Sequence, residues 1–361
     1  MSIPTPPNSI SMLIKKGVEA IVRPPRKQYK IEDIPLIFQN DDGRTYIRQP
    51  LNLTNTRDQN IVASLYYSTE MNPLGGGPCL IYLHGNASSQ IEGQFLVPNV
   101  CKYNVFMLCF DFAGCGMSDG EYISLGWFEK QDVEWMMKIL KLSFNLSPFI
   151  LWGRSMGASA AMLAQSPDLK GIIVDSSFTS VPDLCKSIAT KTKLPKSFVP
   201  IVIWILKKNV VKTANFNIDE VSPLMNAKKS EIPLVLGHAM NDAFIPFEQG
   251  KLLYDSYLCP DKIFIPLNKG HNGRRPKSWL QLCIQFILDK FNIYIDMVEI
   301  GTSNLKESSS IHFESFNEMC NSAHLSIKPE ESISELELIE KLNDIEIDSS
   351  YVSDDTITPD Q

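Results

Sequence analysis

Ser155 stands between two glycines in the run ILWGRSMGASAAM, residues 150–162. The pattern Gly-x-Ser-x-Gly at 153–157 follows an apolar stretch and leads into a small-residue, helix-forming one. A serine on a sharp turn from strand to helix is exposed, strained and backed by the positive end of the helix dipole. Gly153 and Gly157 leave room for the strand and helix to approach closely. Such a serine can attack a carbonyl carbon. The other reading is an ordinary turn serine, and the strand and helix flanking Ser155 favour the nucleophile.

A serine hydroxyl needs a base. Before residue 300 the chain has three histidines: His84 in YLHGNA, His238 in LVLGHAMNDAFIP and His271 in NKGHNG. Hydrolases with a strand-to-helix nucleophile turn carry their groups in the chain order Ser, acid, His. Only His271 follows both a serine and an acid in that order; the alternative is an exposed loop histidine. The acid is expected after the strand that precedes the histidine's strand, where Asp242 lies. Its role would be to hold the His271 tautomer and stabilise the imidazolium. Asp175, in IIVDSS, is the rival, read here as a structural carboxylate that satisfies loop N–H groups. Asp111 has the same structural reading. An oxyanion needs two N–H donors. Met156, directly after Ser155, is expected to supply one. Asn86, directly after His84-Gly85, is expected to supply the other, although HGNASS could simply be a tight turn capping a helix.

These residues need a scaffold. Near-continuous apolar runs at 79–85, 105–112, 149–155, 171–177, 232–239 and 262–268 suit strands buried on both faces of a parallel sheet. Helical patterns such as 128–141 and 156–165 lie between them, so the expected fold class is α/β and doubly wound. Earlier segments at 30–38, 44–51 and 61–67 also look like strands. Residues 178–231 separate two core strands by more than one crossover helix needs and read as an inserted helical cap. The expected organisation is an amphipathic helix and linker at 1–27, the main domain at 28–298, and a disordered acidic tail at 299–361. Within that tail, 333–347 could form a transient amphipathic helix.

The net charge of −7 is unevenly placed: residues 301–361 carry 14 acidic side chains and three lysines, so the remainder is mildly basic at +4. No basic stripe interleaved with aromatics marks a nucleic-acid partner. The eight cysteines form no CxxC pair and read as buried thiols in a reducing compartment, with neither disulfides nor a metal site. The N-terminus lacks the apolar core of a secretory signal. Apolar residues recur at helical spacing over 8–22, with Lys15, Lys16, Arg23, Arg26 and Lys27 in or after them. Such a helix could rest on an anionic membrane surface or pack on the body.

YLHGNASS, FDFAGCGMSDGEY, WGRSMGA, HAMNDAFIP and GHNG together resemble the α/β-hydrolase superfamily. Within it the sequence is similar to the serine-aminopeptidase-like branch that includes the abhydrolase-domain depalmitoylases, over about residues 24–295. The resemblance implies an α/β-hydrolase fold, with a mostly parallel central sheet, helices on both faces and an inserted helical cap. By position it makes Ser155 the nucleophile, Asp242 the acid, His271 the base, and Asn86 and Met156 the oxyanion donors. One departure is that the first cysteine here, Cys79, falls inside an apolar run, whereas membrane-bound depalmitoylases carry an N-terminal cysteine cluster. The expectation is a cytosolic serine hydrolase, peripheral on a membrane at most. It would act on a carboxylic ester or thioester of a small molecule or acylated protein, with no cofactor or metal. A serine peptidase and an inactive scaffold acting through its acidic tail are the alternatives.

Overall fold

Among the described residues, nine strands form one mixed sheet in the order β1-β2-β3-β5-β4-β6-β7-β8-β9. The computed structural model describes residues 9–294, apart from 41–42 and 192–195. The strands are β1 (Ile37–Gln39), β2 (Thr45–Thr54), β3 (Asn60–Ser68), β4 (Gly77–Leu83), β5 (Phe106–Phe110), β6 (Leu146–Arg154), β7 (Leu169–Asp175), β8 (Leu234–Ala239) and β9 (Lys262–Leu267). The helices are α1 (Ser9–Val22), α2 (Val97–Val100), α3 (Trp127–Phe144), α4 (Met156–Leu163), α5 (Val181–Ala189), α6 (Val199–Ala214), α7 (Pro223–Ala227), α8 (Phe247–Ser256) and α9 (Lys277–Lys290).

β1 to β3 form an antiparallel meander that joins β5, and β4 to β9 run parallel. The parallel strands are the near-continuous apolar runs of the sequence, because alternate residues face two different cores. Ile81, Leu108, Leu151 and Val174 point into one, and Leu80, Met107, Ile150 and Ile173 into the other. From β4 the chain crosses to β5 on one side and then to β6 on the other. That reversal falls at the carboxyl ends of β4 and β6, the kind of point where open α/β sheets bind ligands.

The segment 30–38 differs from its expectation, since only its last two residues join β1. Ile31–Asp33 form a 3-10 turn and Pro35 lacks a ladder donor, while the buried Arg48 side chain on β2 donates to the Pro35 carbonyl at 3.3 Å.

The stretch 178–231 contains α5, α6 and α7. Ser180 caps α5 by accepting from the Asp183 N–H. Asn215, at φ 55°, ends α6 in the left-handed region. α1 packs on α6: Gly17 faces Leu206, and a Cβ there would stand 3.1 Å from its Cδ2. Val18 and Val22 are buried in the core. The Val22 carbonyl accepts from Ile123 N–H at 2.7 Å. Two of the basic residues after α1 are also engaged: Arg23 pairs with Glu121 at 2.9 Å, and Arg26 donates to the carbonyls of Ser118 and Gly120. None of the described helices is long and apolar enough to cross a membrane. The acidic stretch 299–361, including 333–347, lies outside the described residues.

Candidate active site

The turn after β6 is tight. A Cβ on Gly153 would stand 2.2 Å from the Gly157 carbonyl oxygen, and one on Gly157 would stand 2.0 Å from that of Leu83. Only glycine fits at either position, because β6, β4 and the start of α4 meet there. Ser155 sits between them at φ 51° and ψ −112°, a conformation an L-residue rarely adopts. Its N–H donates to the Asp175 carbonyl at 2.9 Å, and its own carbonyl accepts from Ser159 N–H at 3.0 Å. Both ends of the strained residue are therefore pinned.

Ser155 Oγ lies 2.9 Å from His271 Nε2, and His271 Nδ1 lies 2.7 Å from Asp242 Oδ2. The carboxylate can only accept, so Nδ1 carries the proton and the Nε2 lone pair accepts from the Ser155 hydroxyl. The other Asp242 oxygen accepts from the N–H groups of Phe244 at 2.8 Å and Ile245 at 2.7 Å. The Asp242 side chain is fully buried, and that of His271 is 12% exposed. Burial opposes the Asp242 charge. The bond from His271 and the two N–H groups outweigh it and hold the carboxyl below its ordinary range. The three side chains thus form one connected chain, although they come from elements 116 and 29 residues apart.

The other two described histidines bond to backbone groups, although His238 Nε2 also lies 3.9 Å from Asp242 Oδ2. His84 Nε2 accepts from Phe112 N–H at 3.1 Å, so its Nδ1–H donates to the Gly85 carbonyl at 2.7 Å. His238 is buried, and its Nε2–H donates to the Ile245 carbonyl at 3.0 Å. Burial pushes its pKa down, which favours the neutral ring. His238 packs against Gly250 of α8, where a Cβ would stand 2.3 Å from Nδ1.

Met156 is the first residue of α4, where backbone N–H groups lack a partner within the helix. Gly85 lies opposite: a Cβ on it would come 3.8 Å from Ser155 Cβ. His84 holds the Gly85 carbonyl, and in a trans peptide the Asn86 N–H points the other way. Glu92 accepts from Gly85 N–H at 3.3 Å and from the Tyr82 hydroxyl at 2.9 Å.

Asp175 has a different partner from the one expected. Its carboxylate is bound by the Arg275 guanidinium at 2.8 and 2.7 Å rather than by loop N–H groups. Asp111 does take loop N–H groups, from Gln90 at 2.6 Å and Met117 at 2.8 Å, together with the Tyr29 hydroxyl at 2.6 Å. The sequence reading missed Glu92, Arg154 and Arg275. Arg154 occupies the variable position before the serine, and Arg275 follows HNG, but neither position carries a pattern that separates it from a surface arginine.

One exposed aromatic ring stands beside the base. Phe244 lies tilted over the His271 ring at 5.7 Å and is 43% exposed. Met240 and Ile188 are exposed as well, and Lys191 after α5 donates to the Ala243 carbonyl beside Phe244. The seven described cysteines are all free and buried. Burial pushes the Cys185 thiol up to about 11 and those of Cys79, Cys101 and Cys109 further, which disfavours the reactive thiolate at these four positions.

No family model matches the sequence. An uncharacterized protein of Acanthamoeba polyphaga mimivirus, R595, is 28% identical over 212 residues, 54% of this chain and 67% of its own length. The uncharacterized YqkD of Bacillus subtilis is 28% identical over 195 residues, 52% of this chain and 63% of its own. The lysophosphatidylserine lipase ABHD12 of Danio rerio is 25% identical over 189 residues, 49% of this chain and 47% of its own. The chain thus spans about two thirds of the first two relatives and about half of the lipase. Among solved structures, the Pyrococcus furiosus esterase Pf2001 aligns with a TM-score of 0.53 at 21% identity, over 74% of this chain and 98% of that one. Acetyl xylan esterase 1 of Thermoanaerobacterium aligns with a TM-score of 0.52 at 13% identity, over 79% and 94%. With these likenesses, and a mixed sheet reversing at β4 beside a glycine-flanked serine turn, the chain is a member of the α/β-hydrolase superfamily.

Proposed function

We propose that the chain is a serine hydrolase that cleaves a carboxylic ester or thioester through an acyl-enzyme intermediate. The observation that carries this reading is the hydrogen-bonded chain Ser155–His271–Asp242, standing on a strained turn at the sheet's reversal point. His271 Nε2 takes the Ser155 proton as Oγ attacks the carbonyl carbon. The oxyanion is received by the N–H groups of Met156 and Asn86, and the start of α4 favours negative charge there. His271, now protonated and held by Asp242, delivers its proton to the departing oxygen or sulfur. Water then enters, His271 takes one of its protons, and hydroxide adds to the acyl carbon. Collapse releases the acid and returns the proton to Ser155 Oγ.

An acyl substrate is favoured over a peptide. The named lipase and esterases among the similar proteins support this, as does the exposed Phe244 ring beside His271. We place the protein in a reducing compartment such as the cytosol, because its described cysteines are free. The test is a panel of acyl esters, acyl thioesters and aminoacyl amides of graded chain length, offered to the wild type and to Ser155→Ala. Hydrolysis of esters or thioesters that disappears in Ser155→Ala is expected. Turnover of the amides alone would make the chain a peptidase, and turnover of nothing would make it a scaffold.

A further inference from the structure

His271 lies on the loop between β9 and α9, and a loop is a poor place from which to aim a base unless something holds it. Arg275 supplies that hold. Its Nη1 donates to the carbonyls of Gly270 at 3.0 Å and Gly273 at 3.1 Å, and its Nη2 donates to the carbonyl of His271 at 3.0 Å. Three loop carbonyls therefore converge on one guanidinium. The opposite edge of the same guanidinium is bound bidentately by Asp175, at 2.8 and 2.7 Å. The pair is largely buried, with side chains 12% and 5% exposed. Every nitrogen of the fork is used, which a lysine could not reproduce.

Asp175 is also fixed to the nucleophile. Its backbone carbonyl accepts the Ser155 N–H at 2.9 Å, and it is in register with Arg154 on β6 and Gly237 on β8. One residue thus joins the serine turn, through its backbone, to the histidine loop, through its side chain. A second arginine reaches the same point from the other side. Arg154 Nη2 donates to the His271 carbonyl at 3.3 Å and to Asn272 Oδ1 at 3.2 Å. Its Nη1 lies 3.5 Å from Glu92, the residue that holds Gly85 N–H.

We infer that the Asp175–Arg275 pair is a positioning device that sets the His271 ring against Ser155. The inference rests on the proposed roles of Ser155 and His271. Asp175 offsets the guanidinium charge, so the loop is gripped without an uncompensated cation beside an imidazole that must become positive. Neither residue touches the substrate or donates a proton to it. Their loss displaces the base, and a displacement of about 1 Å costs about a hundredfold in rate.

The experiment measures kcat and KM on a short p-nitrophenyl ester, together with thermal melting, for Arg275→Gln, Arg275→Lys, Asp175→Asn and the double variant Asp175→Asn/Arg275→Gln. Ser155→Ala serves as the reference for the underlying reading, and Arg275→Ala is assayed with and without added guanidinium. The expected result is a kcat lower by about a hundredfold in Arg275→Gln, with KM close to that of the wild type and the protein still folded at the assay temperature, its melting temperature lowered because Asp175 is left buried without its cation. Asp175→Asn should lose a similar amount, and the double variant little more than either single one, because the two act as a unit. Arg275→Lys should stay impaired, and guanidinium should restore Arg275→Ala. Wild-type kcat in Arg275→Gln or Arg275→Lys would overturn the inference, leaving the triad intact if Ser155→Ala is inactive. Activity lost only in step with melting temperature, with no rescue by guanidinium, would overturn it too. Where Arg275→Gln does not fold, Arg275→Lys and the rescue decide the matter. An active Ser155→Ala would instead remove the reading on which the inference stands.

Discussion

Replacing Asp242 by Asn tests the charge relationship at the site while changing almost no volume. Oδ1 accepts two backbone N–H groups, from Phe244 and Ile245, and Oδ2 accepts from His271 Nδ1. An asparagine must put its oxygen where the two N–H groups point, because an NH2 there would face two donors. Its NH2 is then forced towards His271 Nδ1. The imidazole has to accept at Nδ1 and carry its proton on Nε2, which faces Ser155 Oγ and can no longer take the hydroxyl proton. In a serine protease the same swap lowers kcat by about 10⁴, which corresponds to about 5 kcal/mol of barrier. A loss of that order is expected here, with KM little changed. The assay is steady-state hydrolysis of a p-nitrophenyl ester alongside the rate of fluorophosphonate labelling, with melting temperature as the control for folding. A folded Asp242→Asn protein whose kcat stays within about tenfold of wild type, where one decade is only about 1.4 kcal/mol, would refute this reasoning.

Asp242 also makes a prediction about pH. Its folded pKa lies below the unfolded value of about 3.9, so its contribution to stability is present above that value and lost as pH falls through the folded one. Thermal melts across that range should show a steeper acid loss in the wild type than in Asp242→Asn; equal slopes would contradict it. Gly157→Ala should fail to fold or melt far lower, since the added methyl meets the Leu83 carbonyl oxygen at 2.0 Å; a stable, active variant would contradict the packing of the serine turn. Removing residues 1–22 should lower the melting temperature, because α1 buries Val18 and Val22 and full burial of a valine stabilises by about 1.5–3 kcal/mol. If the shortened chain melts like the full one but no longer floats with anionic liposomes, α1 is a membrane contact rather than a packing element.

The parallel strands were legible because burial on both faces forces long apolar runs, as in CLIYLHG and GIIVDSS, and nothing else explains such runs in a chain of this composition. The serine turn was legible because close packing admits only glycine at 153 and 157, and glycine leaves a visible mark. His271 followed from chain order, and Asp242 from its place after the strand that precedes the histidine's strand. What the sequence hid are polar contacts between distant elements. Arg275 reaches Asp175 across 100 residues, and Arg154 reaches the His271 carbonyl across 117. Such pairs have no periodicity and no local partner, so Arg275 reads no differently from its exposed neighbour Arg274. The partner of Asp175 was misjudged for the same reason. The helical pattern of 8–22 showed that α1 has an apolar side but not what it meets, because α6 lies nearly two hundred residues away. β1 is shorter than the strand-like segment 30–38 because Ile31–Asp33 turn as a 3-10 helix and Pro35 lacks a ladder donor.

The central claim is that Ser155 is a nucleophile activated by His271. It is tested most directly by treating the full chain with a fluorophosphonate and locating the adduct by peptide mass mapping, in the wild type and in His271→Ala. A single adduct on Ser155 that forms quickly in the wild type and scarcely at all in His271→Ala is the result this account predicts. An unlabelled Ser155 in folded protein, an adduct on another residue, or equal labelling without the histidine would contradict it.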